Sequence, residues 1–187
     1  MASNEEREAS SKMPKKSPLK KTTPVVSSSH LAEGAMPALS EYEFGLILAW
    51  NAFTRWTVRC MDAAGAPGLA PLDVLVLHAV NHRDREKTLA DLCLVLNIED
   101  THIVSYGLKK LARDRLVETG KRGKEKTVRI SKKGAALCER YRVVREDLLV
   151  RTAEALAIDE TDLSQLSALL RGLSGTYDQA SRAAAAS

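Results

Sequence analysis

"TLADLCLVLNIEDTHIVSYGLKKLARDRLVETG", residues 88–120, holds two short helical patterns on either side of one asparagine. Thr88 stands where an N-cap belongs, ahead of the helix "LADLCLVL". Asn97 follows in a turn, and asparagine tolerates the left-handed conformation that such turns use. A second helix is expected over residues 99–114. Glu99 and Asp100 lie in its first turn and Lys and Arg residues in its last, as the helix dipole favours. Val104, Leu108 and Leu111 form its inner stripe, with Ile103 and Gly107 beside them. Thr101, His102, Ser105, Tyr106, Lys109 and Lys110 fall on the outer and flanking surfaces.

Two strand-like pieces come next. In "RLVETG" and "KTVRIS", Val117 pairs in phase with Thr119, and Val128 with Ile130, at a spacing of two. Gly120 and Gly123 sit at turn positions between them. This predicts a hairpin whose tip is "GKRGKEK", residues 120–126. Helix, turn, helix and hairpin, in that order, is the plan of a winged helix-turn-helix.

The flanks are helical. Upstream, "APLDVLVLHAVNH" predicts a helix from Pro71 to Asn81, followed by the polar stretch "HRDREK". Further upstream, Ser40 with Glu43 reads as a capping box opening a helix that runs to about Ala63. Both tryptophans and both phenylalanines lie in that helix. Tyr42, Leu46, Ala49, Trp50, Phe53, Trp56 and Cys60 share one side of it, and Ile47 and Leu48 widen the stripe. Such a helix needs cover on more than one face, so a second copy of the chain is expected against it. Downstream, Ser131 caps a long helix to about Leu156, carrying Leu137, Tyr141, Val144, Leu148 and Ala155. In the last helix Leu163, Leu166, Leu170, Leu173 and Tyr177 step by three and four, a heptad-like seam.

The expected architecture is therefore mainly α with a small β-hairpin: a winged helix-turn-helix (68–133) between N- and C-terminal dimerisation helices (40–64 and 134–183). Residues 1–39, rich in Ser, Lys, Glu and Pro, are expected to be a disordered tail, and 184–187 a frayed end. The basic piece "KMPKKSPLKK" in that tail is a solvated segment or a weak arm on nucleic acid.

Composition narrows the class. Of 187 residues, 44% are hydrophobic and 28% charged, which is ordinary for a globular chain. Only 4% are aromatic, too few for a base-stacking surface. The net charge of +4 is unevenly placed. Residues 109–133 carry eleven Lys and Arg against three acids, an excess of eight, so the remainder of the chain is net acidic. The positive field is focused where the plan puts DNA.

Several chemistries find no support. The sequence has no nucleophile–base arrangement, P-loop or dinucleotide turn, so no catalysis and no cofactor are expected. Cys60, Cys93 and Cys138 lack disulfide or zinc spacing and read as buried thiols in a reducing cytoplasm. His78 and His82 have the i,i+4 spacing of a metal pair, with Asp84 nearby, but nothing completes a ligand set, so no metal is expected. No apolar run is long enough to span a bilayer and no secretory signal is present, so no membrane partner is expected.

The stretch quoted first, continued by "KTVRISKKG", resembles the MarR family of bacterial transcriptional regulators, and the resemblance covers about residues 42–175. "LKKLARDRLVE" looks like the end of that family's recognition helix entering the wing. "ISKKG" looks like the turn from wing to long helix. The resemblance implies a homodimer on double-stranded DNA with a pseudo-palindromic operator, often released by a small-molecule effector or by oxidation. The wing departs from the family: it is short, and "GKRGKEK" replaces the usual Asp-x-Arg sequence.

The DNA-binding candidates are Thr101, His102, Ser105 and Tyr106 for base edges, Lys109 for a phosphate or a guanine edge, and Lys110, Lys121, Arg122, Lys124 and Lys126 in the basic run that meets the backbone. Arg55 and Trp56 are candidates for an effector pocket. A winged-helix module for protein assembly and a non-specific DNA-architectural protein are the competing readings.

Overall fold

The computed structural model describes residues 36–83 and 85–187, so most of the predicted N-terminal tail, and Asp84, lie outside the described residues. The chain divides into two compact units at Leu48 and Ala49. What is described of the first is the N-terminal part of helix α1, Pro37–Ala63. That helix begins at Pro37, ahead of the expected start at Ser40. A proline in the first turn lacks only an N–H that would have no partner there, and its φ suits a helix.

The second unit holds the rest. Helix α2 (Pro71–Asn81) opens as expected on Pro71, and the Asp73 carboxylate accepts the Ala70 N–H at 2.8 Å. Strand β1 is only Lys87–Thr88. Helix α3 (Leu89–Leu96) is capped by Thr88, whose Oγ1 accepts the Asp91 N–H at 3.1 Å while Asp91 accepts the Thr88 N–H at 2.9 Å. Asn97 ends α3 in the left-handed region, φ 52° and ψ 50°. Helix α4 (Thr101–Arg113) starts two residues later than expected, because Asp100 is its N-cap: Oδ1 accepts the His102 N–H at 2.8 Å.

Strands β2 (Val117–Arg122) and β3 (Glu125–Ile130) form an antiparallel hairpin from Val117 opposite Ile130 to Arg122 opposite Glu125. β1 adds on the far side of β3, giving the order β1-β3-β2. The hairpin therefore turns on two residues, Gly123 and Lys124, and not on a seven-residue tip. Gly120 belongs to β2, opposite Thr127. Gly123 has φ +64°, the sign that tight hairpin turns need at their first central position.

The stretch "HRDREK" is not merely a polar connection. Lys87 is buried, and its Nζ donates to the carbonyls of Val80 (2.8 Å) and His82 (2.5 Å), with Arg85 at 3.3 Å. The ammonium thus answers the unpaired carbonyls at the end of α2, where the dipole is negative.

Ser131 caps helix α5 (Lys132–Arg145) as expected, accepting the Gly134 N–H at 2.9 Å. Its hydroxyl also lies 2.8 Å and 3.0 Å from the Arg115 and Leu116 carbonyls. A Cβ on Gly134 would collide with the Leu116 carbonyl oxygen. The long downstream helix is not uniform. A π-helical turn, Glu146–Val150, separates α5 from α6 (Arg151–Ala155). Helix α7 (Glu160–Ala185) follows, capped by Asp159, and stays helical through the first two of the four residues expected to fray.

One core joins these elements. Val74, Leu77 and Val80 of α2 pack with Leu92 of α3 and Val104 and Leu111 of α4. Val117 and Val128 bring in the sheet, and Cys60, Met61, Leu137 and Tyr141 bring in the end of α1 and α5. No helix among the described residues is long and apolar enough to cross a membrane.

Candidate nucleic-acid interface

The surface of α4 sorts by its 3.6-residue period. Val104, Gly107 and Leu111 are buried. Thr101, His102, Tyr106 and Lys109 are exposed, Tyr106 at 73%, and Ser105 is half-buried. The wing residues Lys121, Arg122, Lys124 and Lys126 are all exposed.

A groove of about 640 Å³ runs between α4 and the hairpin. Ser105, Leu108 and Lys109 line it from the helix; Thr119, Lys121 and Lys126 line it from the wing; Leu89 and Val128 form part of its floor. The structure thus brings Ser105, Lys109, Lys121 and Lys126 to one concavity. Thr127 is also among the lining residues, and its Oγ1 is buried without a hydrogen-bond partner. Three ammonium groups over an apolar floor suit a phosphate backbone whose sugars also need apolar contact.

Lys110 does not join this surface. Its Nζ lies 2.6 Å from Asp73 Oδ2 and 2.8 Å from the Gly68 carbonyl, on the flank of α4 that meets α2. Its side chain is 22% exposed and that of Asp73 only 6%, so the charge is spent within the fold. It directly follows Lys109, a step of about 100° around the helix, and that rotation exchanges groove for the side facing α2. Arg122 faces Glu125 at 3.6 Å across the turn, an exposed pair that leaves its guanidinium open to phosphate.

Arg85 was not singled out by the sequence. It shares with Arg122 an electrostatic pull on Asp91, whose carboxyl is held below its usual range chiefly by the hydrogen bonds from Thr88.

Residues 69–134 match the family model of a winged helix DNA-binding domain. No curated protein matches the chain. Among solved structures, a MarR family regulator from Neisseria meningitidis aligns with a TM-score of 0.60 at 16% identity, over 76% of this chain and 94% of that one. A MarR family regulator from Rhodococcus sp. RHA1 gives 0.60 at 13%, over 72% and 93%. BpsR of Bordetella bronchiseptica gives 0.50 at 21%, over 68% and 91%. The chain has the MarR fold.

Within this MarR fold the wing is a tight hairpin with a two-residue turn, and the groove rests on α4 and the strands themselves. A second cavity, of about 580 Å³, lies between the end of α1, α2 and α5. Phe53, Trp56, His78, Tyr141 and Arg145 are among its lining residues. Trp56 is one of the residues lining this cavity. Arg55 is exposed and is not part of the lining, since it precedes Trp56 by one residue and about 100° of helix. His78 Nε2 is buried there with no partner, its ring 4.5 Å from that of Tyr141. Burial lowers the His78 pKa.

His82 is exposed beyond the end of α2, and no group of three or more metal-binding side chains comes together among the described residues. All three cysteines are buried. Burial raises the Cys60 thiol and pushes Cys138 up to about 11, which favours the protonated and unreactive form.

Proposed function

We propose that two copies of the chain bind double-stranded DNA with a sequence preference and so regulate transcription. The observation that carries this reading is the shared groove of α4 and the wing, with Lys109, Lys121 and Lys126 around it and the polar face of α4 beside it. Phosphate contacts there supply affinity and register. Thr101, His102, Ser105 and Tyr106 read base edges.

Exposed apolar residues on the terminal helices support the homodimer. Trp50 and Phe53 of α1, Val143 of α5, Leu148 and Leu149 of the π turn, and Leu163, Leu166 and Leu169 of α7 are all exposed in the single chain. Exposed apolar surface of this extent favours a partner. In this reading residues 68–133 are the reading head and 40–64 and 134–183 the dimerisation helices.

The cavity at Trp56 and His78 supports release by a small-molecule effector, because it combines an apolar wall with an unsatisfied imidazole. BpsR is a protein whose DNA binding is regulated by 6-hydroxynicotinic acid.

The test is binding to random and genomic duplex fragments across a salt series. A preference for some fragments, with affinity falling as salt rises, is expected. No binding at low salt would overturn the reading in favour of a protein-assembly module. Binding that ignores sequence would favour an architectural protein.

A further inference from the structure

The corner between α3 and α4 needs a left-handed residue, and glycine meets that need at least cost. Helix-turn-helix corners often contain it. Here the corner is Asn97, and its side chain is used. Nδ2 donates to Ser174 Oγ at 3.3 Å and to the two Asp178 carboxylate oxygens at 3.4 and 3.3 Å. Both partners lie on α7, 77 and 81 residues further along the chain.

Helix α7 is exposed almost throughout. Its half-buried residues are Leu170, Leu173, Ser174 and Asp178. Steps of three, one and four place them on one face. Two of the four meet Asn97. The corner in turn governs α4: Asp100, three residues on, caps it, and Thr101 and His102 are its first residues.

From this geometry we infer that Asn97 is a positioning residue, tying the entry of the reading helix to the C-terminal helix. The seat of α7 then sets how Thr101, His102 and Ser105 are presented to DNA. The inference rests on the DNA-binding reading for its consequence, though not for the tie itself.

Variants of the full chain separate the two jobs of Asn97. Asn97→Gly keeps the left-handed corner and removes the amide. Asp178→Ala removes the main acceptor and leaves the corner untouched. Each is expected to weaken binding to the preferred duplex by about threefold to tenfold, the scale of ordinary hydrogen bonds. The double variant should lose no more than either single one, because both act on one contact. Binding to random duplex should change little. Asn97→Asp sets two carboxylates face to face and should lose most.

Amide hydrogen exchange supplies a readout without DNA. In Asp178→Ala, residues 97–103 should exchange faster while the thermal midpoint holds. Unchanged exchange there, or losses that simply add in the double variant, would overturn the tie. Faster exchange in a chain that binds no duplex at all would sustain the tie and overturn the DNA reading instead.

Discussion

Lys110 and Asp73 stand 2.6 Å apart and fasten α4 to the first turn of α2. Asp73 also accepts the Ala70 N–H, so one carboxylate caps α2 and anchors α4. Asp73→Ala should destabilise the fold by about 3 kcal/mol, the lower end of the range for breaking a buried ion pair. Urea unfolding would measure it. A loss under about 1 kcal/mol would mean that the pair behaves as an exposed one.

The same pair separates two neighbouring lysines. Lys109→Ala should weaken all DNA sequences nearly alike and lower the salt slope by about 0.9 if it meets one phosphate. Lys110→Met should leave the slope unchanged while lowering stability. Equal slopes in the two variants would contradict their placement.

In the wing, Lys124→Ala or Lys121→Ala should each lower the salt slope by a similar amount, about 0.9 per phosphate met. Ser105→Ala or Tyr106→Ala should instead change which fragments are selected from a random pool. A pool unchanged by either substitution would remove the outer face of α4 from base reading.

Acid should weaken the fold through His78. Its folded pKa is depressed by burial, so between that value and the unfolded value of about 6.5 the unfolded chain binds more protons. Stability therefore falls as pH drops below about 6.5. The neighbouring Tyr141, pushed up to about 12, and Cys138, at about 11, do not titrate in that window. Thermal midpoints from pH 7.5 to 5 should decline, and His78→Phe should flatten the decline. An equal decline in both would assign it elsewhere.

Gly134→Ala tests the joint between wing and α5. The new methyl meets a backbone carbonyl that cannot swing aside. A loss of about 3 kcal/mol, the upper end for overpacking, is expected on unfolding. Gly123→Ala, strained only by its positive φ, should cost about 1 kcal/mol and leave the core intact.

Much of the plan was legible because local chemistry and fold agree. Thr88, Asn97 and Ser131 do at their positions what caps and corners of those types do. The order of helices and hairpin followed from their periodicity. What escaped depends on contacts distant in sequence. Lys110 reads as a surface cation until Asp73 is brought to it, 37 residues away in the chain. Lys87 reads as loop until α2 ends beside it. Gly120 reads as a turn residue because nothing local says that β2 continues to Arg122. Arg55 and Trp56 could not be told apart without knowing which side of α1 faces α2.

The π turn at Glu146–Val150 closes its hydrogen bond over five residues, from the Arg151 N–H to the Glu146 carbonyl, where an α-helix closes it over four. Counting heptads from Leu137 through Leu148 to Ala155 therefore crosses a change of phase. Leu137 and Tyr141, before the change, are buried, whereas Leu148, within it, is exposed. One continuous rod thus aims apolar side chains at its own core in its first half and at the outside in its second. Removing a single residue from 146–150 would leave the rod helical yet turn everything beyond it by about 100°. The surface offered to a second copy is thereby set by a residue count as much as by residue identity.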